Sequence, residues 1–229
     1  TDTDPLSCTV GGLVNGTAYT FSVVATNAAG NSAAATSAAV TPLTVPDAPE
    51  ITSASPGATQ QVTVSWTAPA DNGGSAITGY TATASTGGAT CVTVLTDTDP
   101  LSCTVGGLVN GTAYIFSVVA TNAAGNSEAA TSAAVTPYTT PGKSPSVKAS
   151  PENSGAVVSW QEPADGGSAI TGYTVTATPG GATCTTVSTD TDPLSCTVGG
   201  LVNGTAYTFS VVATNAAGDG PAATSAAET

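Results

Sequence analysis

The amino-acid sequence predicts an all-β protein built from tandem β-sandwich domains. Three observations lead to this fold class. A unit of roughly 90 residues recurs, apolar and polar residues alternate in short runs, and Gly, Pro, Asn and Asp clusters separate those runs. No stretch of useful length has the apolar period of a helix. Ala, Thr, Val, Ser and Gly dominate the composition, which favours strands and turns.

The repeat is visible as the string TDTDPLSCTVGGLVNGTAY, which begins at Thr1, Thr96 and Thr189 and continues each time into FSVVATNAAG. A different half-unit, containing V-S-W and later I-T-G-Y, precedes the last two copies, starting at Val62 and Ala156. This period exceeds the roughly 20 to 50 residues of a solenoid repeat. The chain is therefore an array of whole domains.

The copies divide the chain into three parts. We expect the second half of one domain at residues 1–42, and complete domains at residues 43–136 and 137–229. The first part lacks the Trp-bearing half-unit, and the chain has no Met. We therefore expect a longer parent polypeptide, with a cysteine about twelve residues before Cys8 by analogy with the other copies.

Within each predicted strand, apolar residues recur with a period of two, so that every second side chain faces the core. Polar Thr and Ser occupy most of the opposite rows. Three apolar rows stand in order along the first complete domain: Val62, Val64 and Trp66; Tyr80, Ala82 and Ala84; Tyr114, Phe116, Val118 and Ala120.

Together these segments resemble the fibronectin type III module. The resemblance rests on Trp on an early strand, then I-T-G-Y, then G-L-V-N-G-T-A-Y with Tyr114 six positions after Leu108, and a strand ending in A-T-N. It implies seven strands in two antiparallel sheets of an immunoglobulin-like sandwich. It also implies that Trp66 and Trp160 are core residues and that Tyr114 closes a corner of the sandwich.

Proline-rich joints connect the three parts. We name residues 41–46 the first joint and residues 136–142 the second joint. Proline at this density makes a short, semi-rigid connection. Gly142 is expected to loosen the second joint relative to the first.

The cysteines recur with equal spacing. Cys91 and Cys103 are twelve residues apart, as are Cys184 and Cys196, whereas Cys8 has no partner in this sequence. We expect two disulfides within domains, which in the resembling family would join edge strands of opposite sheets. Metal ligation and redox chemistry are the alternatives, but there is no His and no C-x-x-C pair. Disulfides predict an oxidising, secreted or cell-surface location.

Paired carboxylates in the Asp-Thr-Asp-Pro loops are candidate calcium ligands. Two carboxylates supply few of the six to eight oxygens that Ca²⁺ takes, so the alternative is an Asp-rich turn and no metal site. The candidates are Asp97, Asp99, Asp190 and Asp192, with Asp2 and Asp4 in the first copy.

Asn15, Asn110 and Asn203 each begin an Asn-Gly-Thr segment. This matches the N-glycosylation acceptor pattern, but it is also a turn signal, and we favour the turn.

The net charge and the residue types present exclude several classes of function. The net charge is -13 with two basic residues, Lys143 and Lys148, so neither nucleic acid nor an anionic membrane surface is expected as a partner. No apolar run approaches the ~20 residues of a membrane helix. No His is present, and no Ser or Thr has an evident base beside it in sequence. We therefore expect neither catalysis nor a cofactor.

The sequence favours a non-catalytic structural or spacer segment of a repetitive bacterial surface, stalk or filament protein. Its expected partners are neighbouring repeats of the same polypeptide and, in a filament, like chains. The alternative is an adhesin, or a carbohydrate-binding accessory module of a secreted glycan-degrading enzyme, with an extracellular glycan or protein ligand.

Overall fold

A computed structural model describes residues 6–57 and 59–229, and these residues are all-β, with strands β1 to β20. The chain divides into two compact units. The first comprises Thr1–Ala54, Thr63–Val105 and Ile115–Ala134, and the second comprises Ser55–Val62, Gly106–Tyr114 and Val135–Thr229. The first joint falls in the first unit, and the second joint falls in the second.

The first segment contains four short strands: β1 (Ser22–Val23), β2 (Thr26–Asn27), β3 (Gly30–Asn31) and β4 (Ala35–Thr36). β1 pairs with β4, and β2 with β3. Tyr19 and Phe21 are half-buried, but Val23 is 68% exposed and Ala25 is also exposed. The same row is fully buried in the next repeat, so this segment does not bury its apolar face among the described residues.

The next repeat forms two antiparallel sheets. One has the order β5-β6-β9, and in the other β11-β10-β7-β8 form a path from which β12 branches to pair with β10. The strands are β5 (Glu50–Pro56), β6 (Val62–Thr67), β7 (Gly79–Ala84), β8 (Thr90–Val94), β9 (Ser102–Val105), β10 (Phe116–Asn122), β11 (Gly125–Asn126) and β12 (Ala130–Thr131).

The last repeat has the same topology. Its sheets are β13-β14-β17 and β16-β15-β18-β19, with β20 also paired to β18. The strands are β13 (Lys148–Glu152), β14 (Gly155–Ser159), β15 (Gly172–Thr178), β16 (Thr183–Val187), β17 (Ser195–Gly199), β18 (Thr208–Asn215), β19 (Gly218–Asp219) and β20 (Ala223–Thr224).

The expected apolar rows form the core. Trp66 and Trp160 are 3% and 5% exposed, and their rings lie 5.5 Å and 5.2 Å from the rings of Tyr80 and Tyr173. Every member of the three rows predicted for the first complete domain is buried. The alternation in sequence therefore assigned the inner faces of these strands correctly.

Tyr114 closes a corner of the sandwich, as the resemblance implied. Its hydroxyl accepts a hydrogen bond from the Val109 N–H at 3.0 Å. The Tyr207 hydroxyl accepts one from the Val202 N–H at 3.1 Å in the last repeat. Each bond ties the Asn-Gly-Thr turn to the start of the strand that follows it.

The seventh strand is not continuous, which differs from the expected seven-stranded pattern. β11 and β12 both pair with β10, but the register shifts by one residue between them, as it does in a β-bulge. The Ser127 hydroxyl accepts from the Ala120 N–H at 3.0 Å, and the Ser132 hydroxyl accepts from the Phe116 N–H at 2.9 Å. Serine side chains thus satisfy the backbone donors that the bulges leave unpaired.

Candidate functional site

The structure contains two disulfides. Cys91 on β8 bonds to Cys103 on β9, with a Cα–Cα distance of 6.1 Å, and Cys184 on β16 bonds to Cys196 on β17, at 6.2 Å. Each bond joins the edge strand of one sheet to the edge strand of the other. Cys8 is free and exposed.

The candidate calcium ligands accept hydrogen bonds from backbone N–H groups of their own turns. Asp97 accepts from the Val94 N–H at 2.8 Å, and Asp99 accepts from the Leu101 N–H at 3.3 Å. Asp190 and Asp192 make the same bonds in the last repeat. No cluster of three or more His, Cys, Asp or Glu side chains forms within residues 6–57 and 59–229. Asp2 and Asp4 lie outside the described residues.

The asparagine side chain of the Asn-Gly-Thr turn forms hydrogen bonds within its own domain. Asn110 Oδ1 accepts from the Gln60 N–H, and Asn110 Nδ2 donates to the Thr59 hydroxyl, both at 2.9 Å. Asn203 likewise accepts from the Ser154 N–H at 2.9 Å. Both polar atoms of the Asn110 side chain thus make hydrogen bonds that hold the turn, which favours the turn interpretation.

The first joint is held from both sides by backbone hydrogen bonds. On one side the Gly16 N–H donates to the Pro42 carbonyl at 2.9 Å. On the other side the Thr44 N–H donates to the Gly73 carbonyl, also at 2.9 Å. A single residue separates the two anchored positions, so little of this joint is left to rotate freely.

The second joint repeats this arrangement within the second unit. The Gly111 N–H donates to the Pro137 carbonyl at 2.9 Å, and the Thr139 N–H donates to the Gly166 carbonyl at 2.8 Å. Again one residue separates the two anchors. Because the same bonds form at both joints, they are a property of the repeated sequence.

A buried asparagine on the last long strand of each complete repeat completes the anchorage. Asn122 and Asn215 are both 5% exposed. In each, Nδ2 donates to the carbonyl of the joint threonine at 2.8 Å and to a loop carbonyl at 2.7 Å. The acceptors are Thr44 and Asn72 for Asn122, and Thr139 and Asp165 for Asn215.

Pairs of glycines touch at both joints, and neither contact has room for a side chain. A Cβ on Gly74 would overlap the Gly16 N atom, and a Cβ on Gly167 would overlap the Gly111 N atom. Gly74 and Gly167 also have positive φ angles of 80° and 91°, which L side chains rarely adopt. The close approach therefore requires glycine on the loop side of each joint.

The structure anchors Gly142, the residue that is expected to loosen the second joint. The Gly142 N–H donates to the Ala164 carbonyl at 2.8 Å, and Gly142 is half-buried. A backbone hydrogen bond of this kind offsets the conformational freedom that glycine would otherwise bring.

The aromatic side chains do not form an exposed platform. All the Trp, Tyr and Phe residues lie among the described residues, and each one is buried or half-buried. The large apolar side chains that are exposed there are Val, Leu and Ile. Each ring therefore offers at most part of its surface to a stacking sugar ring or base.

The joint contacts were not foreseen from the sequence. The Gly-Gly pairs occur in N-G-G-S and D-G-G-S, and the asparagines occur in A-T-N, and in sequence both patterns indicate only a turn or the end of a strand. Their recurrence next to proline-rich joints is the signal in the sequence that points to a joint contact.

Among the described residues there is no helix that could cross a membrane.

The two sandwiches, with their shared topology and corner tyrosines, define a class of tandem β-sandwich proteins. The model of the fibronectin type III domain matches residues 47–137 and 140–229, and the chain belongs to this family. Over 238 residues, 94% of this chain, it is 37% identical to Exoglucanase B of Cellulomonas fimi, covering 20% of that protein. It is 39% identical over 135 residues to Chitinase A1 of Niallia circulans, covering 56% of this chain and 18% of that protein.

The chain spans about one fifth of the length of these curated relatives. A two-domain fibronectin type III segment of chicken tenascin is 20% identical, with a TM-score of 0.38, covering 79% of this chain and 98% of that segment. The matched part of the bacterial proteins is their fibronectin type III part, and domains of this kind are generally non-catalytic.

Proposed function

We propose that this chain is a non-catalytic spacer that holds other parts of a secreted bacterial glycan-degrading protein at a set separation. The observation that carries the proposal is the pair of joints, each anchored by the same hydrogen bonds and glycine contacts. A flexible tether would need none of these contacts.

The domain boundaries belong to the same proposal. Residues 43–136 and 137–229 are complete spacer domains, and residues 1–42 are the second half of another. The segment at 1–42 keeps the corner bond, in which the Tyr19 hydroxyl accepts from the Val14 N–H at 3.0 Å. It also keeps both serine bonds across its bulged edge strand.

A secreted location fits the two disulfides and the relatives, whose names identify them as an exoglucanase and a chitinase. The relatives also favour a role beside glycan-degrading domains over an independent filament. The buried or half-buried aromatic rings favour spacing over direct glycan binding by stacking.

The proposal is tested by the stiffness of the second joint. Thr86 and Ala226 are exposed, and each can be replaced by an unnatural amino acid that carries a spin label without using cysteine. Pulsed electron paramagnetic resonance should then give a narrow distribution of the distance between the two labels. Gly167→Ala should broaden it, because the added Cβ overlaps the Gly111 N atom.

Gly180→Ala is the matched control. Gly180 has a φ of 94°, close to that of Gly167, but a Cβ there meets nothing within 4 Å. It should therefore impose similar backbone strain and leave the distribution narrow. A wild-type distribution as broad as that of Gly167→Ala would reject the spacer function, and retention on insoluble cellulose or chitin would favour the binding-module alternative.

A further inference from the structure

Asn-Gly pairs, whose asparagine is prone to deamidation, occur four times in the chain. They stand at Asn15, Asn72, Asn110 and Asn203. In this reaction the backbone nitrogen of the glycine attacks the side-chain carbonyl carbon of the asparagine, and glycine favours the attack because it has no Cβ to shield that nitrogen. Since the dipeptide is the same at all four places, the surrounding structure decides which pair reacts first.

Asn72 lies in the Gly-Gly loop of the first complete repeat, and its side chain is exposed. Asn72 Oδ1 accepts a hydrogen bond from the Gly74 N–H at 3.0 Å. Its Nδ2 has no hydrogen-bond partner in the part of the chain that the structure describes. A donor on the amide oxygen stabilises the negative charge that develops there during attack, and the nitrogen that has to leave is open to water.

The nucleophile is the Gly73 nitrogen, and a carboxylate lies beside it. The Gly73 N–H donates to Asp71 Oδ1 at 2.8 Å, so this carboxylate stands where the N–H proton has to go. The fold also requires glycine here, because Gly73 has a φ of 71° and a Cβ on it would overlap the Thr44 carbonyl oxygen. The joint therefore does not tolerate a bulkier residue that would shield the nitrogen.

Asn110 provides the contrast, because the reacting groups of its Asn-Gly pair are bonded elsewhere. Asn110 Oδ1 and Nδ2 bond to Gln60 and Thr59, both at 2.9 Å. The Gly111 N–H donates to the Pro137 carbonyl at 2.9 Å, and a peptide carbonyl is a far weaker base than a carboxylate. The Asn110 amide has to give up both of its bonds before Gly111 can attack it.

We propose that Asn72–Gly73 is a site of intramolecular deamidation, and that its isoaspartate product releases the first joint. The Gly73 nitrogen forms a bond to Asn72 Cγ while its proton passes to the Asp71 carboxylate. The Cγ–Nδ2 bond then breaks, and Nδ2 takes up that proton and leaves as ammonia. Water opens the resulting succinimide at either of its carbonyl carbons, which gives aspartate or isoaspartate.

Aspartate leaves the joint intact. The main chain is unchanged, and Asp165 already stands at the equivalent position of the last repeat. Its Oδ1 accepts from the Gly167 N–H at 2.9 Å, which matches the bond from Gly74 to Asn72. An acidic side chain at this position is thus compatible with an anchored joint.

Isoaspartate changes the main chain at the joint itself. The chain then runs through Cβ and Cγ, which places an additional carbon atom before Gly73. The former Asn72 carbonyl, which accepts from Asn122 Nδ2 at 2.7 Å, becomes part of a side-chain carboxylate. The Gly73 carbonyl, which accepts from the Thr44 N–H at 2.9 Å, is displaced. This consequence rests on the spacer function proposed above, whereas the reaction at Asn72 does not.

The reaction is tested by storing the full chain at near-neutral pH and mapping peptides after cleavage at acidic residues, which places the four Asn-Gly pairs in different peptides. We expect Asn72 to react at least about tenfold faster than Asn110, because a positioned base and donor accelerate it. In the unfolded, reduced chain the two rates should be similar. A folded chain in which Asn72 reacts no faster than Asn110 would overturn the proposal.

Asp71→Asn is the matched variant, because asparagine can still accept from the Gly73 N–H but is a far weaker base. It should slow the reaction at Asn72 and leave the reaction at Asn110 unchanged. An unchanged rate at Asn72 would overturn the role of the carboxylate.

The effect on the joint is read from amide hydrogen exchange at Thr44, with Thr139 of the second joint as the internal reference. The isoaspartate form, isolated by chromatography, should lose protection of at least about tenfold at Thr44 and none at Thr139. Asn72→Asp should keep both amides protected. Full protection of Thr44 in the isoaspartate form would overturn the release of the joint alone. An unprotected Thr44 in the unmodified chain would overturn the spacer function.

Discussion

At the scale of single residues, each of the two tryptophans makes one favourable and one unfavourable contribution to the free energy of folding. Each indole ring is buried against a tyrosine, but the Nε1–H groups of Trp66 and Trp160 have no hydrogen-bond partner in the described structure. An unpaired buried donor costs about 1–3 kcal/mol. Apolar burial and ring packing have to exceed that cost for the sandwich to be stable.

We expect Trp66→Ala to lower the free energy of unfolding of its domain by about 3–5 kcal/mol. Trp66→Phe should cost less, because it removes the unpaired N–H together with part of the ring. Denaturant titration followed by circular dichroism measures both values. The assignment of this strand face would be wrong if the alanine variant lost less than about 1 kcal/mol.

Burial raises the pKa of Tyr80 and of Tyr173, and the nearby Glu162 carboxylate raises that of Tyr173 further. The folded-state pKa of each is thus above the unfolded value of about 10. Their contribution to stability is complete below about pH 10 and is lost as the pH rises through the folded pKa.

We therefore expect the free energy of unfolding to fall above about pH 10, and to fall less in a Tyr80→Phe/Tyr173→Phe variant. Both proteins should carry Cys8→Ser, since a free thiolate attacks disulfides at high pH. Denaturant titration at pH values from neutral to alkaline provides the measurement. Identical pH dependence of the two proteins would contradict the assignment to these phenols.

At the scale of strands, each sandwich is closed differently on its two flanks. On one flank the disulfide joins edge strands of the two sheets, such as β8 and β9. On the other flank the bulged β11 and β12 are kept in register by Ser127 and Ser132. In the last repeat Gly220 replaces the first of these serines, and a Cβ there would overlap the Pro141 carbonyl oxygen at 2.5 Å.

Removal of one disulfide by Cys91→Ser/Cys103→Ser should lower the stability of its domain by about 3 kcal/mol, because the unfolded chain regains the entropy of a short loop. The domain that contains Cys184 and Cys196 serves as an internal reference and should be unchanged. Denaturant titration gives the size of the effect, and non-reducing peptide mapping checks the pairing. Cross-domain pairs, or free thiols at all these positions, would refute the assignment.

The Asp turns beside the disulfides should bind calcium weakly or not at all. Their carboxylates already accept backbone hydrogen bonds, and two carboxylates are few for Ca²⁺. We expect millimolar Ca²⁺ to change the melting temperature by less than about 1 °C. A rise of several degrees that Asp97→Asn/Asp99→Asn abolishes would establish a calcium site.

At the scale of the whole molecule, the two joints give the chain its proposed role. Each combines a turn glycine, a proline carbonyl, a Gly-Gly loop and a buried asparagine, and each lies within one compact unit. The chain has a net charge of -13 and two basic residues, so charge pairing contributes little to these contacts. Backbone bonds and close packing hold the joints.

The sequence by itself determined the fold class, the inner faces of the strands and the corner tyrosines. The fold class and the inner faces follow from a period of two and from local turn chemistry, both of which act between residues close in sequence. The corner tyrosines follow from the resemblance to the fibronectin type III module. Leu108 and Tyr114, for example, lie in one short segment, and their spacing of six positions carries that resemblance.

Only the tertiary structure decided at which glycine positions a side chain would overlap a neighbouring backbone, and which hydrogen bonds hold the two joints. Gly74 touches Gly16, and Asn122 bonds to Thr44. These partners are more than 50 residues apart in sequence, and no periodicity relates them. The anchoring of Gly142 also depends on tertiary structure, since the Ala164 carbonyl that accepts its N–H is brought there by folding.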